Sequence, residues 1–185
     1  IEAAQGNDLG TMVAVRQSAS ELKEAIKDID GVVIANINSP QQTVVSGERN
    51  AIQRVAELLK SKDVQVHLLP VAGAFHSHLV APAKKLFSDF LKTIRFNSPE
   101  LEVFSNSFAA PYGSSPDEIR SSLAEHMVRP VEFVREIEEM YKRGARFFVE
   151  VGPGSVLTNL VKQILEGHPV LAVATDIQGQ PSLVQ

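Results

Sequence analysis

Apolar and polar positions along the chain follow two periods, and their order predicts the elements. Residues 11–17, Thr-Met-Val-Ala-Val-Arg-Gln, form a short apolar run behind Gly10 and predict a strand. Ser18 or Ser20 is placed to cap a helix in which Leu22, Ala25, Ile26 and Ile29 recur at helical spacing, before Gly31 breaks it. Strands are predicted at 32–37 and 42–46, joined through Asn38-Ser39-Pro40. An amphipathic helix follows at 49–60, with Ile52, Val55, Ala56 and Leu59 on one face. Residues 64–69 then alternate with period two, putting Val64, Val66 and Leu68 on one side. The order β-α-β-β-α-β is the ferredoxin-like split arrangement, which by itself says little about function.

After Pro70 the pattern changes. A loop of small residues at 71–77 leads into a helix at 79–91, and 101–104 predicts a strand followed by a Pro/Gly/Ser loop. Helices are predicted at 117–127 and from Pro130, as a first-turn proline, to Arg143. A strand at 147–151, a Gly152-Pro153-Gly154 turn, a helix at 156–165, a strand at 170–174 and a frayed tail complete the chain. Alternating strands and helices imply a parallel sheet. The expected fold class is α/β: a ferredoxin-like subdomain at 11–70, and part of a second α/β subdomain from 71–185 together with 1–10.

Composition narrows the chemistry. With 18 basic and 22 acidic residues the net charge is -4, which gives no electrostatic case for nucleic acid. The absence of cysteine excludes disulfides, thiolate metal sites and a cysteine nucleophile, and makes a reducing cytoplasm the simplest compartment. Apolar stretches such as 145–151 fall far short of the ~20 residues of a membrane span, and no metal-ligand pattern stands out. The first six residues, Ile-Glu-Ala-Ala-Gln-Gly, have neither the basic region nor the apolar core of a signal peptide. The expectation is an interior piece of a longer polypeptide.

A serine on a Gly-x-Ser-x-Gly elbow is absent, and neither Ser46 nor Ser155 has the flanking glycines. Among five histidines, His67 reads as a surface residue of an alternating strand and His168 as a turn residue. His78 belongs to a helix's first turn, with a channel-facing role as the alternative. His76, in Gly73-Ala74-Phe75-His76-Ser77, sits where the loop joins the two expected subdomains, and its imidazole can take a hydroxyl proton. A structural or merely exposed histidine remains open on the residues alone. Gly152-Pro153-Gly154 before a helix reads as a tight turn, with an anion site as the alternative.

These segments carry a resemblance. Gly73-Ala74-Phe75-His76-Ser77 resembles the His-Ala-Phe-His-Ser motif of malonyl-selective acyltransferase domains of polyketide and fatty-acid synthases. Four further stretches look like that family's signatures in the same order: Ala35 to Gly47, Val103-Phe104-Ser105-Asn106, Pro130-Val131-Glu132-Phe133, and Glu150-Val151-Gly152-Pro153-Gly154. The resemblance implies a hydrolase-like α/β subdomain with a ferredoxin-like insertion. It also implies an acyltransferase that moves a malonyl-type unit from CoA, through an acyl-serine, to the phosphopantetheine thiol of an acyl carrier protein. No bound cofactor is implied, and the partners are acyl-CoA, the carrier and the rest of the domain.

His76 is then the catalytic base. Phe75 selects malonyl by crowding an α-methyl branch, with apolar packing as its alternative, although Gly73 replaces the motif's first histidine. His126, four residues before Pro130, stands where relatives often have Gln or Asn and offers a backbone carbonyl to the base. Asn38 is a turn former that alternatively lines the site. The family's nucleophilic serine, oxyanion glutamine and carboxylate-binding arginine lie upstream of the matched region. The other readings are a non-catalytic ferredoxin-like interaction module and part of a serine hydrolase.

Overall fold

A computed structural model describes residues 9–176. The frayed tail expected beyond 176 and the first eight residues lie outside the described residues. The elements are β1 (Thr11–Val15), α1 (Ala19–Ala25), β2 (Val32–Ser39), β3 (Gln42–Gly47), α2 (Arg49–Ser61), β4 (Val66–Leu68), α3 (Ala81–Lys92), β5 (Phe104–Ser105), β6 (Ala110–Pro111), α4 (Pro116–His126), α5 (Phe133–Lys142), β7 (Phe147–Pro153), α6 (Val156–Ile164) and β8 (Leu171–Asp176).

The first six elements form a four-stranded sheet in the order β2-β3-β1-β4, antiparallel at every pairing. Val13, Val15 and Val45 meet Leu22 and Ile26, together with Ile52, Val55 and Leu59 of α2, in one buried cluster. Met12, Val44 and Ala35 occupy the opposite face. Ser18 rather than Ser20 caps α1, in a reciprocal capping box with Glu21. This helix stops at Ala25 instead of reaching Ile29, yet Ile26 and Ile29 still pack on the core. β4 is shorter than the alternation predicts, because the Val64 N–H donates to the Leu59 carbonyl and closes the end of α2. Leu68 does not share the buried side and is 60% exposed.

The second half departs from its expected pattern at two points. The strand expected at 101–104 is reduced to Phe104–Ser105, paired with Ala110–Pro111, and Leu101 and Val103 are exposed. Pro130 does not open a helix. Val131 pairs instead with the edge of β2: its N–H donates to the Ala35 carbonyl and its carbonyl accepts from the Ile37 N–H, both at 2.8 Å. Those bonds commit its backbone to the sheet edge, so α5 begins only at Phe133. They also stitch the two halves of the molecule together.

β7 and β8 pair in parallel, as the alternation implies. One face packs through Phe148 and Ala172 on Ile137, Val161 and Leu165. The other face is bare: Phe147, Val149, Val151 and Leu171 are 60%, 45%, 85% and 56% exposed.

Candidate functional site

The loop before His76 is clamped at its base. The Ala74 N–H donates to the Leu9 carbonyl at 2.6 Å. Gly10 has a φ of 70°, and a Cβ there would lie 2.3 Å from the Gly47 carbonyl oxygen and 2.7 Å from the Ala74 Cβ. Only glycine lets the start of β1 come so close to this loop. Ser77 is buried; its hydroxyl donates to the Ala74 carbonyl at 2.6 Å and accepts the Leu79 N–H at 3.2 Å, opening a short 3-10 turn at His78–Val80. Between these anchors His76 takes a left-handed backbone, φ 58°. A non-glycine residue in that region is strained, and such strain gathers at functional positions.

The C-terminus of α4 holds the His76 ring. Its last carbonyls have no partner within the helix; the following turn takes those of Ala124 and Glu125, and His76 takes those of His126 and Met127. The His76 backbone N–H donates to the Met127 carbonyl at 3.1 Å. Its Nδ1 lies 3.0 Å from both the His126 and the Arg129 carbonyl oxygens. Carbonyls only accept, so the network assigns the neutral ring's proton to Nδ1 and leaves the Nε2 lone pair free. The site can therefore take a proton at Nε2.

The His126 ring lies 5.8 Å from the His76 ring, centroid to centroid. Burial, and then the charge of His76, hold its pKa below the ordinary 6.5. His126 lines a cavity of about 420 Å³ at the seam between the sheet and the second half, with Asn36, Asn38, Asn106, Tyr112 and Glu136 as its other polar walls. Glu136 is buried, and burial pushes its carboxyl up from 4.5 to about 7. The Asn106 Oδ1 is buried without a partner among the described residues.

Two expected residues thus meet directly, His76 and the carbonyl of His126. Asn38 shares the cavity with the His126 ring, but it is a strand residue of β2 whose amide donates to Gln42 at 3.1 Å, not a turn former. Phe75 is next to His76, 44% exposed, and is not part of that cavity's wall. His67, His78 and His168 are exposed, and the His168 ring lies tilted against Tyr141, 5.2 Å between centroids. Ser46 is fully buried inside β3, where no substrate reaches it.

The Gly152-Pro153-Gly154 stretch, expected as a turn, instead continues β7 through Pro153, and the helix start behind it carries an internal ligand. The Glu150 carboxylate accepts the N–H groups of Leu157 at 3.1 Å and Thr158 at 2.8 Å, so the start of α6 already holds an anion of the chain itself. Burial works against that charge, but the N–H bonds outweigh it and hold the pKa below 4.5. Among the described residues no group of three or more His, Cys, Asp or Glu could hold a metal ion, and no helix is long and apolar enough to cross a membrane.

Sequence reasoning missed Glu136, the Arg129 carbonyl and the Asn106 amide. Glu136 had a readable signal: it occupies an apolar slot in the helical series Phe133, Ile137, Met140 and Tyr141. The Arg129 carbonyl had none, since any residue type supplies one.

Residues 3–181 match the model of the acyl transferase domain family. The chain is 37% identical over 163 residues to the polyketide biosynthesis malonyl CoA-acyl carrier protein transacylase PksC of Bacillus subtilis, covering 84% of this chain and 55% of that protein. The crystal structure of a malonyl CoA-acyl carrier protein transacylase from Clostridium perfringens superposes with a TM-score of 0.84 at 31% identity, covering 95% of this chain and 57% of that one. A type II polyketide malonyl-transacylase solved in complex with its acyl carrier protein gives 0.86 at 27% identity, covering 96% and 58%. The chain spans about half the length of the relatives it matches. Its α/β fold is that of acyltransferase domains, and the chain belongs to the acyl transferase domain family.

Proposed function

We propose that this chain supplies the general base of an acyltransferase that moves a malonyl-type unit from CoA to the phosphopantetheine thiol of an acyl carrier protein. The observation that carries the reading is the His76 Nδ1 held between two carbonyls at the end of α4, which leaves Nε2 to act. The names of the relatives support the substrate class, and the transacylase solved with its carrier supports the partner.

In this reading a serine from the remainder of the domain gives its proton to His76 Nε2 as its oxygen attacks the thioester carbonyl. The tetrahedral intermediate collapses, the CoA sulfur leaves and takes the proton from Nε2, and an acyl-serine remains. The carrier thiol then gives its proton to Nε2 and attacks the acyl-serine, and the serine oxygen recovers a proton from Nε2 as it leaves. The backbone carbonyls of His126 and Arg129 keep the ring oriented throughout. Phe75 narrows the space beside the base against an α-methyl branch, and Asn38 lines the approach.

We assign residues 11–70 to a ferredoxin-like subdomain, in keeping with the β2-β3-β1-β4 order. We assign 71–185, with 1–10, to part of a hydrolase-like subdomain. Parallel sheets are covered on both faces, so the bare face of Phe147, Val149, Val151 and Leu171 fits a surface over which the rest of the domain lies. On this reading the chain alone does not catalyse transfer, and incubation with malonyl-CoA leaves its intact mass unchanged.

The test is His76→Ala in a polypeptide carrying the complete domain. Acyl loading falls by about 10²–10⁴-fold, the usual share of a general base, with the circular dichroism spectrum retained. Near-normal loading removes His76 from the mechanism. Release of the acyl group to water rather than to a carrier thiol would make the domain a hydrolase.

A further inference from the structure

The imidazole of His76 depends on the short turn at 126–129 staying in place, and a half-buried carboxylate bridges that turn to the helix that follows His76. Glu125 sits on the last turn of α4. Its backbone carbonyl accepts the N–H groups of both Val128 and Arg129 at 3.0 Å, which closes the turn. Its side chain receives the Lys84 ammonium at 2.5 Å on one oxygen and faces the Arg129 Nε at 3.7 Å on the other. Lys84 lies on α3, eight residues after His76 in the chain. The Arg129 guanidinium also rests over the Phe108 ring, 4.8 Å from its centroid.

The two segments that the imidazole joins are therefore joined a second time by the Glu125 carboxylate. One carries His76 and Lys84, and the other carries Glu125, His126 and Arg129. With Lys84 and Glu125 only 30% and 32% exposed, this pair is better shielded than the exposed ion pairs of α3 at Lys85 and Lys92. Without the Glu125 carboxylate, two cations face each other across this contact, and the Arg129 carbonyl loses the side-chain anchor that helps to hold it on Nδ1.

We infer that Glu125 is a positioning residue for His76: bridging Lys84 and Arg129, it keeps the carbonyl pair on Nδ1 and so keeps the ring in the one tautomer that leaves Nε2 unprotonated. This rests on the proposed role of His76 as base, and the experiment separates the two.

The tautomer of His76 is read directly in this chain by long-range proton–nitrogen-15 correlation of the imidazole, for the parent, Glu125→Gln, Glu125→Ala and Lys84→Met. The neutral parent ring carries its proton on Nδ1. Glu125→Ala moves a substantial fraction of the proton to Nε2, and Lys84→Met acts in the same direction. Glu125→Gln, which still accepts a hydrogen bond from Lys84, gives the smaller change and remains informative where alanine fails to fold. In the complete domain the same order appears in kcat for acyl loading, about tenfold to a hundredfold lower for Glu125→Ala, with KM for the acyl donor unchanged.

A parent-like tautomer in both Glu125 variants overturns the inference whatever happens to thermal stability, since loss of packing alone does not choose between ring nitrogens. If loading survives His76→Ala, the proposed function fails. If loading needs His76 and the tautomer ignores Glu125, only this inference fails.

Discussion

Replacing Glu136 with glutamine removes a carboxyl that lies buried on the core face of α5, against the seam cavity, with no cation among the described residues paired to it. Burial pushes that group from 4.5 to about 7. The unfolded chain therefore releases the proton near the ordinary value while the folded chain keeps it. Between these two pH values the folded state binds more protons, so stability falls as pH rises. At about 1.4 kcal/mol per pH unit, the penalty reaches on the order of 3 kcal/mol once the pH exceeds the folded value, and it stays constant above that. Glutamine keeps the shape and never ionises. The stability difference between Glu136→Gln and the parent should thus climb from its pH 4 value by roughly 3 kcal/mol by about pH 8.

The measurement is urea unfolding followed by far-ultraviolet circular dichroism at several pH values, because the chain contains no tryptophan. His126 acts with the opposite sign. Its lowered pKa favours the neutral ring in the folded state, so its contribution is lost as the pH falls below 6.5, and it cancels when the two proteins are compared at each pH. An unsatisfied amide in the variant shifts the whole curve without tilting it. A difference that is flat from pH 4 to pH 8 refutes the reasoning, because it means that Glu136 is as well solvated when folded as when unfolded.

Other outcomes follow from the same geometry. Phe75→Ser in the complete domain should shift the competition between malonyl-CoA and methylmalonyl-CoA toward the branched donor by ~1–3 kcal/mol; an unchanged ratio would leave Phe75 as packing alone. Glu150→Gln should cost about 1 kcal/mol of unfolding free energy through the weakened cap of α6. That loss should vanish in acid: the parent's advantage is present above pH 4.5 and is lost as the pH falls through the lowered Glu150 value. Val151→Lys, on the bare face of β7, should reduce binding of an apolar dye and self-association in light scattering while leaving the fold intact. No reduction would mean that this face does not drive association.

The first sixty residues were legible because each element announces itself locally: alternation for the strands, a capping box at Ser18 and Glu21, and one apolar stripe on α2. Two of the misjudged boundaries were decided from outside the segment. Val131 reads as the first turn of a helix until the edge of β2 claims its backbone. Val64 reads as a strand until it closes α2. The site divides in the same way. His76 and the place of His126 were read from side-chain identity; Phe75, read in the same way, lies outside the seam cavity's wall. What holds the ring is carbonyl oxygen at 126 and 129, which every residue possesses and no sequence pattern displays. Asn38 shows the converse, a residue type common in turns that here runs within a strand.

The left-handed backbone at His76 sets selection for robustness against selection for chemistry at this one position. Holding an L-residue there costs about 1–2 kcal/mol relative to glycine, which adopts that conformation freely. A library screened only for resistance to heat or protease therefore sets that strain against the ring's hydrogen bonds to the His126 and Arg129 carbonyls, which His76→Gly would forfeit. Any glycine survivors of such a screen would have discarded the group proposed to move the proton.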